Sequence, residues 1–197
     1  MTYVEPPPDP KKGQTKSADK FLKVLIDADD ERQIALQKAQ IRDVGEILEL
    51  VNGFAADNLM LPRGPQYVYE NIRDFVIASD RNVPVYSITE TREVLHLIVA
   101  CGSLHVLWDD IAEIRALAIH PDYQHLGLGS KLVDHMIDEA RGLGIKRLFT
   151  FTLTENFFKN LGFKRKNRDE LPLKVWTECS RCPKYFHCDE IGMVLDL

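Results

Sequence analysis

The sequence has little of what would mark a membrane, nucleic-acid-binding or secreted protein. No apolar stretch approaches the roughly 18 to 20 residues that a transmembrane helix needs. Positive charge is short: 25 Lys and Arg stand against 30 Asp and Glu, a formal net charge of −5. That leaves no basic surplus to neutralise a nucleic-acid backbone. The N-terminus carries Pro6, Pro7, Pro8 and several charges where a secretory signal would place its apolar region, so a cytoplasmic location is expected. In a reducing compartment the 4 cysteines, Cys101, Cys179, Cys182 and Cys188, read as thiols or metal ligands rather than disulfides. Present instead are 45% hydrophobic and 28% charged residues in 197. That is the composition of one soluble domain with a packed core and a small-molecule partner.

Two regions are expected, a mobile tail over 1–30, too polar to fold alone, and one domain over 31–197. From Gln33 the alternation of Ile34 and Leu36 with polar neighbours predicts a strand. Asp43 and Glu46 have the spacing of a capping box, opening a helix whose apolar face is Val44, Ile47, Leu48, Val51 and Phe54. A second helix is expected after Pro65, carrying Val68, Ile72, Phe75 and Val76. Strands are expected over 83–89, 93–106 and 111–120, then a helix from Gly129, a strand over 147–152, a short helix over 155–161 and a last strand near 190–197. This element order predicts an α/β (α+β) fold with a mixed, mostly antiparallel sheet flanked by helices.

Between the 111–120 strand and the Gly129 helix lies Gln124-His125-Leu126-Gly127-Leu128-Gly129. Glycines before a helix let the backbone approach an anion where the helix dipole favours it. A tight turn alone would use the same pattern. The run from Glu113 to Ser130, a strand followed by His120-Pro121, the Gln-x-x-Gly-x-Gly loop and a helix, resembles the coenzyme A-binding core of GNAT acetyltransferases. Phe157-Phe158-Lys159-Asn160-Leu161-Gly162-Phe163 resembles their late Phe-Tyr-x-x-Leu-Gly-Phe segment. The resemblance covers roughly 33–197. It implies the GNAT acyltransferase fold and acetyl-CoA as co-substrate, with pantetheine along Leu117, Ala118 and Ile119 and pyrophosphate on Gln124, His125, Leu126, Gly127, Leu128, Gly129 and Ser130.

Asn58-Leu-Met-Leu-Pro-Arg63, Cys101 to Trp108, Ala112 to Arg115 and Cys179-x-x-Cys182-Pro183 further resemble short bacterial N-acetylglutamate synthases. That likeness implies L-glutamate as acceptor, in the first step of arginine biosynthesis. It makes Arg63 the carboxylate-binding residue, by the bidentate fit of guanidinium to carboxylate, unless Arg63 is a solvated surface residue. It makes Glu113 the general base, acting through water, unless Glu113 is only the ion-pair partner of Arg115; His105 is the alternative base. Phe158 stands where many members have a proton-donating tyrosine, so the acid role passes to Thr154, with Thr152 and Tyr123 nearby. The cysteines Cys179, Cys182 and Cys188 allow two readings, reduced thiols or ligands of a zinc ion. Glutamine, another amino acid or a small amine as acceptor stays open, as do a non-catalytic acetyl-CoA sensor and a homodimer.

Overall fold

The computed structural model describes residues 23–25, 33–81, 97–167, 170–171, 179, 182 and 184–197. In chain order the elements are β1 (Lys23–Leu25), β2 (Ile34–Lys38), α1 (Val44–Ala56), α2 (Pro65–Glu70), β3 (Phe75–Asp80), β4 (Leu97–Val106), β5 (Ile111–Ile119), α3 (Leu128–Gly142), β6 (Arg147–Thr152), α4 (Glu155–Asn160), β7 (Lys164–Lys166) and β8 (Ile191–Asp196). The strands form one sheet in the order β1-β2-β3-β4-β5-β6-β8-β7. All neighbours are antiparallel except β5 and β6. The mixed sheet flanked by helices agrees with the fold class expected from the sequence.

Two apolar layers cover the sheet. Because successive strand side chains point to opposite faces, β3 gives Phe75 and Ile77 to the layer under α1, with Val44, Ile47 and Val51. It gives Val76 and Ala78 to the layer under α3, with Leu132, Val133 and Met136. Leu132 and Met136 are fully buried, so truncating either to Ala would cost about 2 to 5 kcal/mol. Gly102 on β4 lets α3 lie close, since a Cβ there would stand 3.1 Å from Met136 Cε and 3.2 Å from Leu132 Cδ2.

Several local expectations are overturned. The second helix stops at Glu70, and Phe75 and Val76 belong to β3. Their spacing suits a helix, yet the six residues of β3 are all buried, and pairing with β2 and β4 decides the conformation. Asp43 and Glu46 do not form a capping box. Asp43 Oδ2 accepts from the Gln40 backbone N–H (2.7 Å), and Glu46 Oε2 accepts from the Ile98 N–H at the start of β4 (3.0 Å). Lys23–Leu25, inside the expected tail, pairs with β2, and β7 is an added edge strand. The expected strand over 83–89 and the start of the one over 93–106 lie outside the described residues. No helix among the described residues is long and apolar enough to cross a membrane.

Candidate active site

The parallel partners β5 and β6 stay together for three pairs only, Ile111 with Arg147, Ala112 with Leu148 and Glu113 with Phe149. Beyond Glu113 they part, and a cavity of about 1070 Å³ opens between β5 from Glu113 onward and the 150–154 stretch. An unpaired strand edge presents N–H and C=O groups that an extended ligand can satisfy. Here that edge includes Leu117, Ala118 and Ile119, all on the cavity wall. Register shifts between β4 and β5 at this level, and Ala116 has φ +49°. A left-handed Ala is strained by about 1 to 3 kcal/mol, so the bulge is held by its surroundings; the Cys101 Sγ–H donates to the Ala116 carbonyl (3.5 Å). Complete burial pushes the Cys101 thiol up to about 12, leaving it a structural group.

At one end of the cavity lies the 124–130 loop. The Gln124 side-chain amide donates to the Ile119 carbonyl (3.1 Å) and ties the loop to β5. His125 (φ +62°) and Gly127 (φ +71°) both lie in the left-handed region, a backbone form that turns successive N–H groups into an anion-binding nest. Helix α3 starts at once, with Gly127 as N-cap. At Gly129 a Cβ would meet the Phe157 ring at 3.3 Å, so the approach of loop to α4 needs glycine there. The positive-φ cradle, the helix N-terminus and the unpaired β5 edge fit a long anion bearing amides.

The other end is made of side chains. Arg115 Nε donates to Glu113 Oε2 (2.6 Å) in a buried pair. Arg115 Nη1 donates to the Tyr67 hydroxyl at 3.5 Å, and the Arg63 guanidinium lies over the Tyr67 ring, 4.2 Å from its centre. Arg63 is fixed by its backbone as well: its N–H donates to Asn52 Oδ1 (2.9 Å), and Asn52 Nδ2 donates to its carbonyl (3.0 Å). Asn52 of α1 thereby holds the loop that carries Arg63, and Tyr67 holds the guanidinium by cation–π attraction.

The profile of the acetyltransferase (GNAT) family matches residues 49–163. The chain belongs to the GNAT acetyltransferase family. This GNAT chain is 30% identical over 162 residues to an uncharacterized N-acetyltransferase of Chlorobaculum tepidum, covering 82% of this chain and 96% of that one. It is 30% identical over 146 residues to the amino-acid acetyltransferase of Mycobacterium tuberculosis, covering 74% of this chain and 77% of the relative. Against the amino-acid acetyltransferase of Pseudomonas aeruginosa it is 32% identical over 139 residues, spanning 29% of that longer protein. Among solved structures, the N-acetylglutamate synthase of Neisseria gonorrhoeae complexed with coenzyme A and N-acetyl-glutamate superposes with a TM-score of 0.69 at 26% identity, over 85% of this chain and 36% of that one.

In this N-acetyltransferase the expected site residues line this cavity, except Leu126 and the alternative base His105; Leu126 is exposed. Phe158 is buried in the core against Phe157 and Phe163. Thr154 caps α4, its N–H donating to Thr152 Oγ1 (3.0 Å) and the two hydroxyls sharing a bond of 2.9 Å. The Tyr123 hydroxyl donates to buried Asp80 (2.8 Å). His105 lies across the ladder from Glu113 but bonds Asp74 (2.6 Å) and is not on the cavity wall. Arg42 is an exposed neighbour of Asp43. Cys179, Cys182 and Cys188 do line the cavity. Among the described residues no three His, Cys, Asp or Glu side chains come together as metal ligands.

Three cavity or support residues were missed in the sequence: Asn52, Tyr67 and Glu190. Glu190 immediately precedes β8, whose Ile191 pairs with Thr152 at the end of β6. Burial pushes the Glu190 carboxyl up from its ordinary range, Asp189 and Glu113 push the same way, and Lys184 and Arg63 oppose them. Nothing in the sequence distinguished Glu190 from any other acidic residue near a strand start.

Proposed function

We propose that this GNAT protein transfers the acetyl group of acetyl-CoA to the α-amino group of L-glutamate. The observation that carries the reading is the placement of Arg63: it lines the cavity, stacks on Tyr67 and makes no ion pair or hydrogen bond with a carboxylate among the described residues, while Glu113 and the β5 edge lie on the same cavity. The amino-acid acetyltransferase names of relatives and the N-acetyl-glutamate of the gonococcal complex support an amino-acid acceptor.

When bound, acetyl-CoA supplies a thioester carbonyl activated for attack by an amine. The loop from Gln124 to Ser130 and the edge of β5 hold the cofactor, so positioning provides part of the rate. Arg63 takes one acceptor carboxylate. Glu113 receives the ammonium proton through water, and Arg115 fixes its orientation. A backbone N–H near Leu117, turned by the Ala116 bulge, stabilises the oxyanion. As the tetrahedral intermediate collapses, the attacking nitrogen sheds its second proton, and the Thr154 hydroxyl, in the pair with Thr152, relays it to the departing thiolate.

A second acceptor, glutamine, is favoured by one observation. Arg115 is already committed to Glu113, which leaves Arg63 for a single carboxylate. Free-thiol release from acetyl-CoA across a panel of amino acids tests both. Glutamate should give the highest kcat/KM; glutamine ahead of it would move the acceptor, and no release with any amino acid would end the reading.

A further inference from the structure

Glu190 is unused by the mechanism above, yet it lines the cavity that Glu113 and Arg63 line. It immediately precedes β8, beside the Thr152 end of β6, whereas Glu113 is on β5, and both line the cavity. Its charge is felt by both groups, with Glu113 opposing a second negative charge and Arg63 relieving it. Asp189 and Lys184 are its neighbours outside this set, and they pair with each other at 3.8 Å. No hydrogen bond or ion pair ties Glu190 down among the described residues, in contrast to Glu113, Asp80 and Glu46. A half-buried carboxylate that makes no hydrogen bond or ion pair carries an uncompensated desolvation cost. A cationic ligand group removes that cost.

An amino-acid acceptor arrives as a zwitterion, with an ammonium one carbon away from its carboxylate. Arg63 matches the carboxylate, and a carboxylate on the same cavity matches the ammonium. We propose that Glu190 is the positioning residue for the acceptor's α-ammonium, drawing it in and handing it to Glu113 for deprotonation. This inference rests on the amino-acid acceptor reading and adds to it the group that recognises the amine.

The full-length protein with saturating acetyl-CoA is assayed with L-glutamate as substrate and glutarate, its des-amino counterpart, as competitor. Glu190→Gln should raise KM for L-glutamate about 10 to 100-fold, the range for one lost charge-assisted bond. The inhibition constant of glutarate should stay level or fall, because a repelling carboxylate is gone. KM for acetyl-CoA should hold. Glu190→Asp, which keeps the charge on a shorter stem, should retain most of the preference for the amine and serves if the Gln variant folds poorly. Equal weakening of L-glutamate and glutarate, or no change in either, overturns the assignment. Failure of the parent protein to use any amino acid shows separately, as absent thiol release, and would remove the acceptor reading together with this one.

Discussion

Where the cofactor is expected the cavity wall is largely backbone, and where the acceptor is expected it is side chains. The loop end uses the unpaired edge of β5, two left-handed residues and a helix start, all within 113–130. The acceptor end draws Arg63 and Tyr67 from around α2, Glu113 and Arg115 from β5, Thr152 and Thr154 from the end of β6, and Glu190 from before β8. A coenzyme is the same molecule in every member of a family, so a backbone cradle suffices for it. An acceptor changes, and side chains on separate segments can change with it.

Five variants probe that contrast, beginning with the largest effect. Glu113→Gln keeps the size and removes the basicity, so turnover at neutral pH should fall about 10² to 10⁴-fold while acetyl-CoA still binds. The deficit should shrink as pH rises and more acceptor amine is already neutral, which a pH–rate profile would show. Gly129→Val, whose Cβ would press on the Phe157 ring, should weaken coenzyme A binding by calorimetry about 10 to 100-fold, if one charge-assisted bond is lost. Arg63→Ala should raise KM for L-glutamate by about the same factor in steady-state assays. Asn52→Ala leaves the guanidinium in place but frees its backbone, and two neutral hydrogen bonds make a rise of about 10-fold in that constant the expected size.

The smallest effect is one of stability, in the scaffold beneath the acceptor end. Burial raises the Glu46 carboxyl above its ordinary 4.5, with the Ile98 N–H opposing. A raised carboxyl favours the protonated form in the fold, so its contribution is fully present below the unfolded value and is lost as pH rises through the folded one. Glu46→Gln should therefore gain Tm relative to the parent as pH goes from about 4 to 7, with both Michaelis constants unmoved. Melting curves at several pH values would check it.

The same division decided what could be read from the sequence. The loop, β5 and α3 are contiguous, so one run from Glu113 to Ser130 carries the whole pattern; Gln124, Gly127 and Gly129 alone would also suit a tight turn, and the family resemblance of that run gives the loop its coenzyme reading. Arg63 and Glu113 were singled out through resemblance to a family, and the structure brings them to one cavity. Asn52 and Glu190 were not legible, because their roles depend on which distant segment packs beside them. Phe75 and Val76 differ from expectation for a related reason: their spacing is helical, and only pairing with β2 and β4 makes them a strand. Glu46 follows Asp43 at capping-box spacing, yet its partner is Ile98, far along the chain.

The most direct test is a matrix of initial rates over acetyl-CoA and L-glutamate for the parent, Gly129→Val and Arg63→Ala. The parent should release thiol only when both substrates are present. Gly129→Val should then raise the Michaelis constant for acetyl-CoA alone, and Arg63→Ala the one for L-glutamate alone. Thiol release that ignores L-glutamate, or two variants that each raise both constants alike, would contradict a cavity with a backbone end for the coenzyme and a side-chain end for the amino acid.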